Sequence, residues 1–149
     1  MMLLKSKTVT ISIDCSPSKL YAFVSNPSNL PQWAKTFCRS VEKSNGEWVM
    51  ETPQGKVKIR ISGKNELGVL DHYITTPAGK EVLVPMRVVP NGSGSEVIFT
   101  VFQQPGMTDE GFLKDIGLVE QDLKSLKAVM NENSRTNYGR VKDGGTAGA

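Results

Sequence analysis

Hydrophobic and polar residues alternate with a period of two along most of this chain, then switch to a helical period near its end. From Thr8 to Asp14, Val9, Ile11 and Ile13 share one face and Thr8, Thr10 and Ser12 the other, the mark of a strand with one buried side. Cys15-Ser16-Pro17 stops it. Ser16 suits a helix N-cap and Pro17 the first helical position, where a missing N–H is harmless. Leu20, Phe23 and Val24 follow at helical spacing. Asn26-Pro27 ends that turn, because the residue before proline avoids the helical region. A second short helical piece is expected over Ser28 to Trp33.

Strands then follow closely. They are expected over Thr36–Lys43, Glu47–Thr52, Lys56–Ser62, Leu67–Thr76, Glu81–Val89 and Glu96–Gln104. Turn chemistry separates several of them: Ser44-Asn45-Gly46, Pro53-Gln54-Gly55, Pro77-Ala78-Gly79 and Pro90-Asn91-Gly92-Ser93-Gly94. Val57, Ile59 and Ile61 alternate strictly with Lys56, Lys58 and Arg60, so one side is buried and the other wet. Pro85 lies inside an otherwise apolar run and cannot donate to a ladder, which marks a bulge or an edge.

From Asp109 to about Asn133 the period changes. Phe112, Ile116, Val119, Leu123, Leu126 and Met130 are spaced alternately by four and three, one stripe of an α-helix. Thr108 caps it, and Asp109 and Glu110 sit where the helix dipole favours acids. Roughly 25 residues at about 1.5 Å each give a rod of about 37 Å. One greasy helix after a run of strands must lie across the sheet those strands build. A curved sheet gripping such a helix can leave a hollow between them. The polar, glycine-rich end suggests a domain over 1–134 and a disordered tail over 135–149.

Bulk properties narrow the function classes. With 149 residues, one domain is the default. Apolar content of 38% and charged content of 22% are ordinary for a globular chain. A net charge of +3, with its Lys and Arg scattered, does not point to nucleic acid. Cys15 and Cys38 make no disulfide framework and read as free thiols of a reducing compartment. The apolar start before Lys5 is too short for a signal-peptide core. No stretch approaches the roughly 20 apolar residues of a membrane helix, so membrane insertion is not expected. The cytosol is the expected compartment.

Candidate chemistry is sparse. His72 is the sole histidine and shares a face with Leu70 and Ile74. An imidazole titrating near neutrality suits acid–base work, although a core histidine satisfied by a hydrogen bond is the commoner outcome. Asp71 should point the other way, so no Asp71–His72 dyad is expected. Arg39, on the Phe37 and Val41 face, could clamp a ligand's acid group or simply reach solvent. Trp33, Phe37, Trp48, Met86, Phe99 and Phe112, with Ile116, are candidates to line a pocket, or else to fill the core. Gly111 and Gly117 each weaken the helix by up to about 1 kcal/mol, tolerable where something approaches closely. One histidine and two distant cysteines make no zinc site, and no phosphate-cradling loop is present. Neither a metal nor a cofactor is expected.

The element order of strand, two short helices, six strands and long helix now joins two quoted stretches. They are DCSPSKLYAFVSNPSNLPQW at the front and GSEVIFTVFQQPGMTDEGFLKDIGLVEQDLKSLKAVM at the end. Over roughly Thr8 to Asn133 the chain resembles the START-like, or SRPBCC, superfamily, which includes polyketide cyclases/dehydrases and pollen-allergen-type lipid carriers. The resemblance implies an α+β helix-grip fold: a seven-stranded antiparallel sheet wrapped around the C-terminal helix. It also implies a small hydrophobic or aromatic ligand held between sheet and helix. Two alternatives accompany that carrier or sensor. One is a cyclase- or dehydrase-type enzyme in which His72 moves protons. The other is an interaction module, such as a co-chaperone-like domain or one subunit of a homodimer, with an exposed apolar patch and no cavity.

Overall fold

The structure, a computed structural model, describes the backbone of residues 2–144 and the side chains of residues 2–131. The tail expected over 135–149 lies outside the residues whose side chains are described. The elements follow the order read from the pattern: β1 (Ser6–Ile13), α1 (Pro17–Val24), a 3-10 turn (Pro27–Asn29), α2 (Leu30–Trp33), β2 (Ser40–Ser44), β3 (Glu47–Thr52), β4 (Gly55–Ile61), β5 (His72–Thr75), β6 (Glu81–Val84), β7 (Met86–Asn91), β8 (Gly94–Phe102) and α3 (Asp109–Gly144). The expected boundary chemistry is in place. Ser16 accepts from the Lys19 N–H, Asn26 Oδ1 from the Ser28 N–H, and Thr108 Oγ1 from the Gly111 N–H. Between β2 and β3, Asn45 and Gly46 both take positive φ, 53° and 80°, the two-residue hairpin geometry that Asn-Gly favours.

Among the described residues there are eight strands rather than the expected seven, in two antiparallel sheets of order β1-β8-β7 and β2-β3-β4-β5-β6. Pro85 is the reason for the extra strand. It falls between β6 and β7, and with no N–H it cannot carry a ladder through. The chain therefore leaves one sheet at Val84 and enters the other at Met86, while the Pro85 carbonyl accepts from the Thr100 N–H at 3.0 Å.

The expected strand Leu67–Thr76 divides in the same way. Leu70 N–H donates to Met86 O (2.8 Å) and Val88 N–H to Gly68 O (2.9 Å), in the β7 register, while His72–Thr75 pairs with β4 and β6. These two crossings stitch the sheets into one bent wall. Asp71 pins the seam. Arg87 Nε donates to its Oδ1 (3.0 Å), Arg87 Nη2 to its Oδ2 (2.9 Å), and the Met86 N–H to Oδ1 (2.9 Å). The Arg87 hydrogen bonds hold this carboxyl below the usual carboxylate range.

Helix α3 packs across β1 and against α2. The core beneath it joins Val9 and Ile13 of β1, Leu20 of α1, Met50, Met86 and Val97 of the sheets, and Leu123, Leu126 and Met130 of α3. Both cysteines are buried and unbonded to each other. Burial pushes the Cys38 thiol up to about 11 and raises that of Cys15, so both serve as small apolar core residues.

Candidate ligand-binding cavity

A cavity of about 860 Å³ lies between the bent wall and α3, within the size range of small-molecule sites. Its apolar surface comes from the inward positions of the strands, among them Met50, Val57, Ile59, Ile74, Val82 and Phe99. Strict alternation along β4 explains why Val57 and Ile59 point in while Lys56, Lys58 and Arg60 stay exposed. The exposed residues Pro53, Gln54, Pro77, Leu83 and Lys114 also border the cavity and so form its mouth.

The structure gathers five of the nine expected pocket residues: Trp33, Phe37, His72, Met86 and Phe99 line the cavity. Arg39, Trp48, Phe112 and Ile116 do not. For Arg39 the cause is local. The expected strand Thr36–Lys43 begins only at Ser40, because the chain coils after α2, with the Phe37 and Cys38 N–H groups both donating to Ala34 O at 3.1 and 2.7 Å. That coil places Phe37 on the cavity and Arg39 in solvent. Trp48 sits toward the β2–β3 turn, its ring covered by Lys43 Nζ at 5.8 Å.

Phe112 and Ile116 are displaced by helix rotation. The cavity is bordered by Gly111, Asp115, Leu118 and Asp122, each one residue before a member of the expected apolar stripe. One residue turns a helix by about 100°. The greasy stripe therefore packs into the core and meets the cavity only at Val119 and Leu123, while a more polar neighbouring face looks into the hollow. Gly111 borders the cavity, whereas Gly117 is exposed, with nothing within 4 Å of where a Cβ would stand. No close approach explains Gly117.

Among the described residues four titratable side chains border the cavity: His72, Lys114, Asp115 and Asp122. The Nδ1 of His72 lies 3.0 Å from Leu70 O. A carbonyl only accepts, so Nδ1 carries the proton and Nε2 is left as an acceptor. Burial pulls the imidazole below its ordinary value and keeps it neutral at pH 7. Phe99 meets the ring edge-on at 6.1 Å between centroids. Asp71 faces away to Arg87, so no Asp71–His72 dyad forms. On the same wall, Trp33 is 5% exposed and its Nε1–H has no partner among the described residues.

Asp122 is 7% exposed. Its Oδ1 accepts from the Thr36 N–H (3.1 Å) and its Oδ2 from the Thr36 Oγ1–H (2.7 Å), tying α3 to the coil after α2. Burial raises its carboxyl, partly offset by the two Thr36 bonds. Asp115 lies seven residues earlier, on the same helical face and about 10 Å along the axis. Burial raises it too, and among the described residues it has no hydrogen-bond or ion-pair partner. Sequence reasoning missed both acids. A signal was present: Asp115, Leu118 and Asp122 follow helical spacing beside the apolar stripe.

The raised carboxyl has a testable sign. Asp122 holds its proton to higher pH folded than unfolded, so it favours folding below the unfolded pKa, and that contribution fades as pH rises through the folded one. Asp122→Asn, whose amide can still meet Thr36, should therefore gain stability relative to the native chain between pH 4 and pH 7. Asp122→Ala, which orphans the Thr36 N–H, should lose about 1–3 kcal/mol. Urea denaturation at both pH values reads the difference. No relative gain for the asparagine variant on going to pH 7 would refute the assignment.

Among the described residues no helix is long and apolar enough to cross a membrane, and no group of side chains is placed to hold a metal ion. Neither a protein-family model nor a curated protein sequence matches the chain. Solved structures do. XoxI from Bacillus cereus superposes with a TM-score of 0.69 at 18% identity, over 87% of this chain and 97% of that one. The structure of Ara h 8.0201 gives 0.63 at 17% identity, over 87% of this chain and 99% of that one. A START superfamily protein from Mycobacterium smegmatis gives 0.64 at 11% identity, over 85% of this chain and 97% of that one. A bent antiparallel wall closed by a long C-terminal helix, shared over nearly the full length of these proteins, is the START-like helix-grip fold, and this chain has it.

Proposed function

We propose that this protein binds a small hydrophobic or aromatic molecule in the cavity between sheet and α3, as a carrier or sensor. The observation that carries this reading is the hollow itself: about 860 Å³, walled mainly by aliphatic and aromatic side chains and bordered by exposed residues where it reaches the surface. Burying about 250 Å² of ring surface at about 25 cal/mol per Å² supplies about 6 kcal/mol before ordering costs. Before those costs, that corresponds to a Kd of order 10–100 µM. His72 Nε2, an acceptor on a mainly apolar wall, would fix the ligand's orientation.

Leu118 gives the test. It is half-buried, borders the cavity and lies off the core stripe, so Leu118→Trp should push a bulky ring into the hollow beside α3 without opening the core. Titration calorimetry with 1-naphthalenemethanol, a neutral aromatic probe, should show binding to the native chain and at least tenfold weaker binding to the variant. Equal affinity for the two proteins, or none for either, refutes the cavity reading. Native mass spectrometry of freshly purified protein would show whether a molecule of this kind copurifies.

A further inference from the structure

Resting on the proposed cavity, we infer that it selects ligands carrying a protonated amine on an aromatic or aliphatic body and rejects carboxylates, with Asp115 as the specificity-determining residue. Asp115 is half-buried, borders the cavity and has no hydrogen-bond or ion-pair partner among the described residues, the Lys114 charge acting on it only from beyond contact distance. A carboxylate removed from water without a partner is unfavourable, and a bound cation relieves that in a medium where charges attract more strongly than in water.

The other ionisable groups of the wall point the same way, while the buried Trp33 Nε1–H is an uncharged donor without a partner among the described residues. Asp122 adds a second negative charge deeper in, but both of its oxygens already accept from Thr36. His72 presents Nε2, an acceptor, because Leu70 O engages the protonated nitrogen. Among the described wall residues the one cation is Lys114, exposed at the mouth, where water and salt screen it. Among the described residues the wall away from its mouth therefore carries negative charge and no cation, with the Trp33 Nε1–H as an uncharged donor. A fatty acid or aryl carboxylate would bring a like charge beside Asp115, whereas an amine would bring the missing partner.

Matched naphthalenes separate charge from shape. Calorimetry at pH 7 should give 1-naphthylmethylamine at least tenfold tighter binding than 1-naphthalenemethanol, and 1-naphthoate at least tenfold weaker. In Asp115→Asn the amine-to-alcohol ratio should fall within threefold, and Asp115→Glu should restore the preference. An amine no tighter than the alcohol in the native chain, or a preference that survives Asp115→Asn, overturns the inference while leaving the apolar cavity standing. If the alcohol does not bind the native chain, the cavity reading fails and the selectivity falls with it.

Discussion

Leu126→Ala is expected to lower the unfolding free energy by about 2–5 kcal/mol, the range for large-to-small changes in a packed core. Leu126 is 0% exposed, on the stripe of α3 that enters the core with Leu123 and Met130. Truncation removes apolar burial and leaves a void that the surrounding side chains fill only in part. In a chain of this length each kcal/mol shifts the melting temperature by about 2–4 °C, so thermal and urea melts should both register the loss. Leu118→Ala is the matched control. Leu118 already borders open space, so its truncation enlarges an existing hollow rather than creating one, and its cost should be well below that of Leu126. Equal losses at the two positions would mean that α3 does not divide into a core face and a cavity face.

The second large effect is expected at Gly68. Its φ is +75°, and a Cβ built there would stand 2.1 Å from Val88 O and 3.1 Å from Val88 C. Those atoms are backbone, in the β7 register, and the Gly68 carbonyl accepts from the Val88 N–H at 2.9 Å. They cannot move aside without breaking the seam that joins the two sheets. Gly68→Ala should therefore lose at least about 3 kcal/mol, more than the roughly 1–2 kcal/mol of left-handed backbone strain alone. Gly46→Ala isolates that strain. Its φ is +80°, but nothing lies within 4 Å of the added carbon. Denaturant midpoints should rank native above Gly46→Ala above Gly68→Ala. If the two variants lose the same amount, the close approach at the seam is wrong.

Much of the architecture is legible along the chain because it rests on local chemistry. Ser16-Pro17, Asn26-Pro27, Asn45-Gly46 and Thr108 mark boundaries through their own backbone preferences and side-chain bonds, and each sits where expected. Alternation along β1 and β4 selects the buried side because successive strand residues face opposite ways. The stripe from Phe112 to Met130 identifies the helix and the side it buries.

The cavity was less legible. Periodicity says which face of a helix is apolar, but not where the sheet curves away from it. Only the bend at Pro85 and at Gly68–Leu70 decides that, through the backbone bonds that carry the chain between the sheets. That curvature leaves Asp115, Leu118 and Asp122 facing the hollow instead of Phe112 and Ile116. The coil after α2 removes Arg39 from the wall, since the Ala34 carbonyl draws two N–H groups that a strand would have used elsewhere. The sequence by itself determined the elements, their ends and the residues able to be buried, because those depend on neighbours along the chain. Which buried side chains pack and which border empty space was decided by the tertiary structure, because a void is set by the distance between elements far apart in sequence.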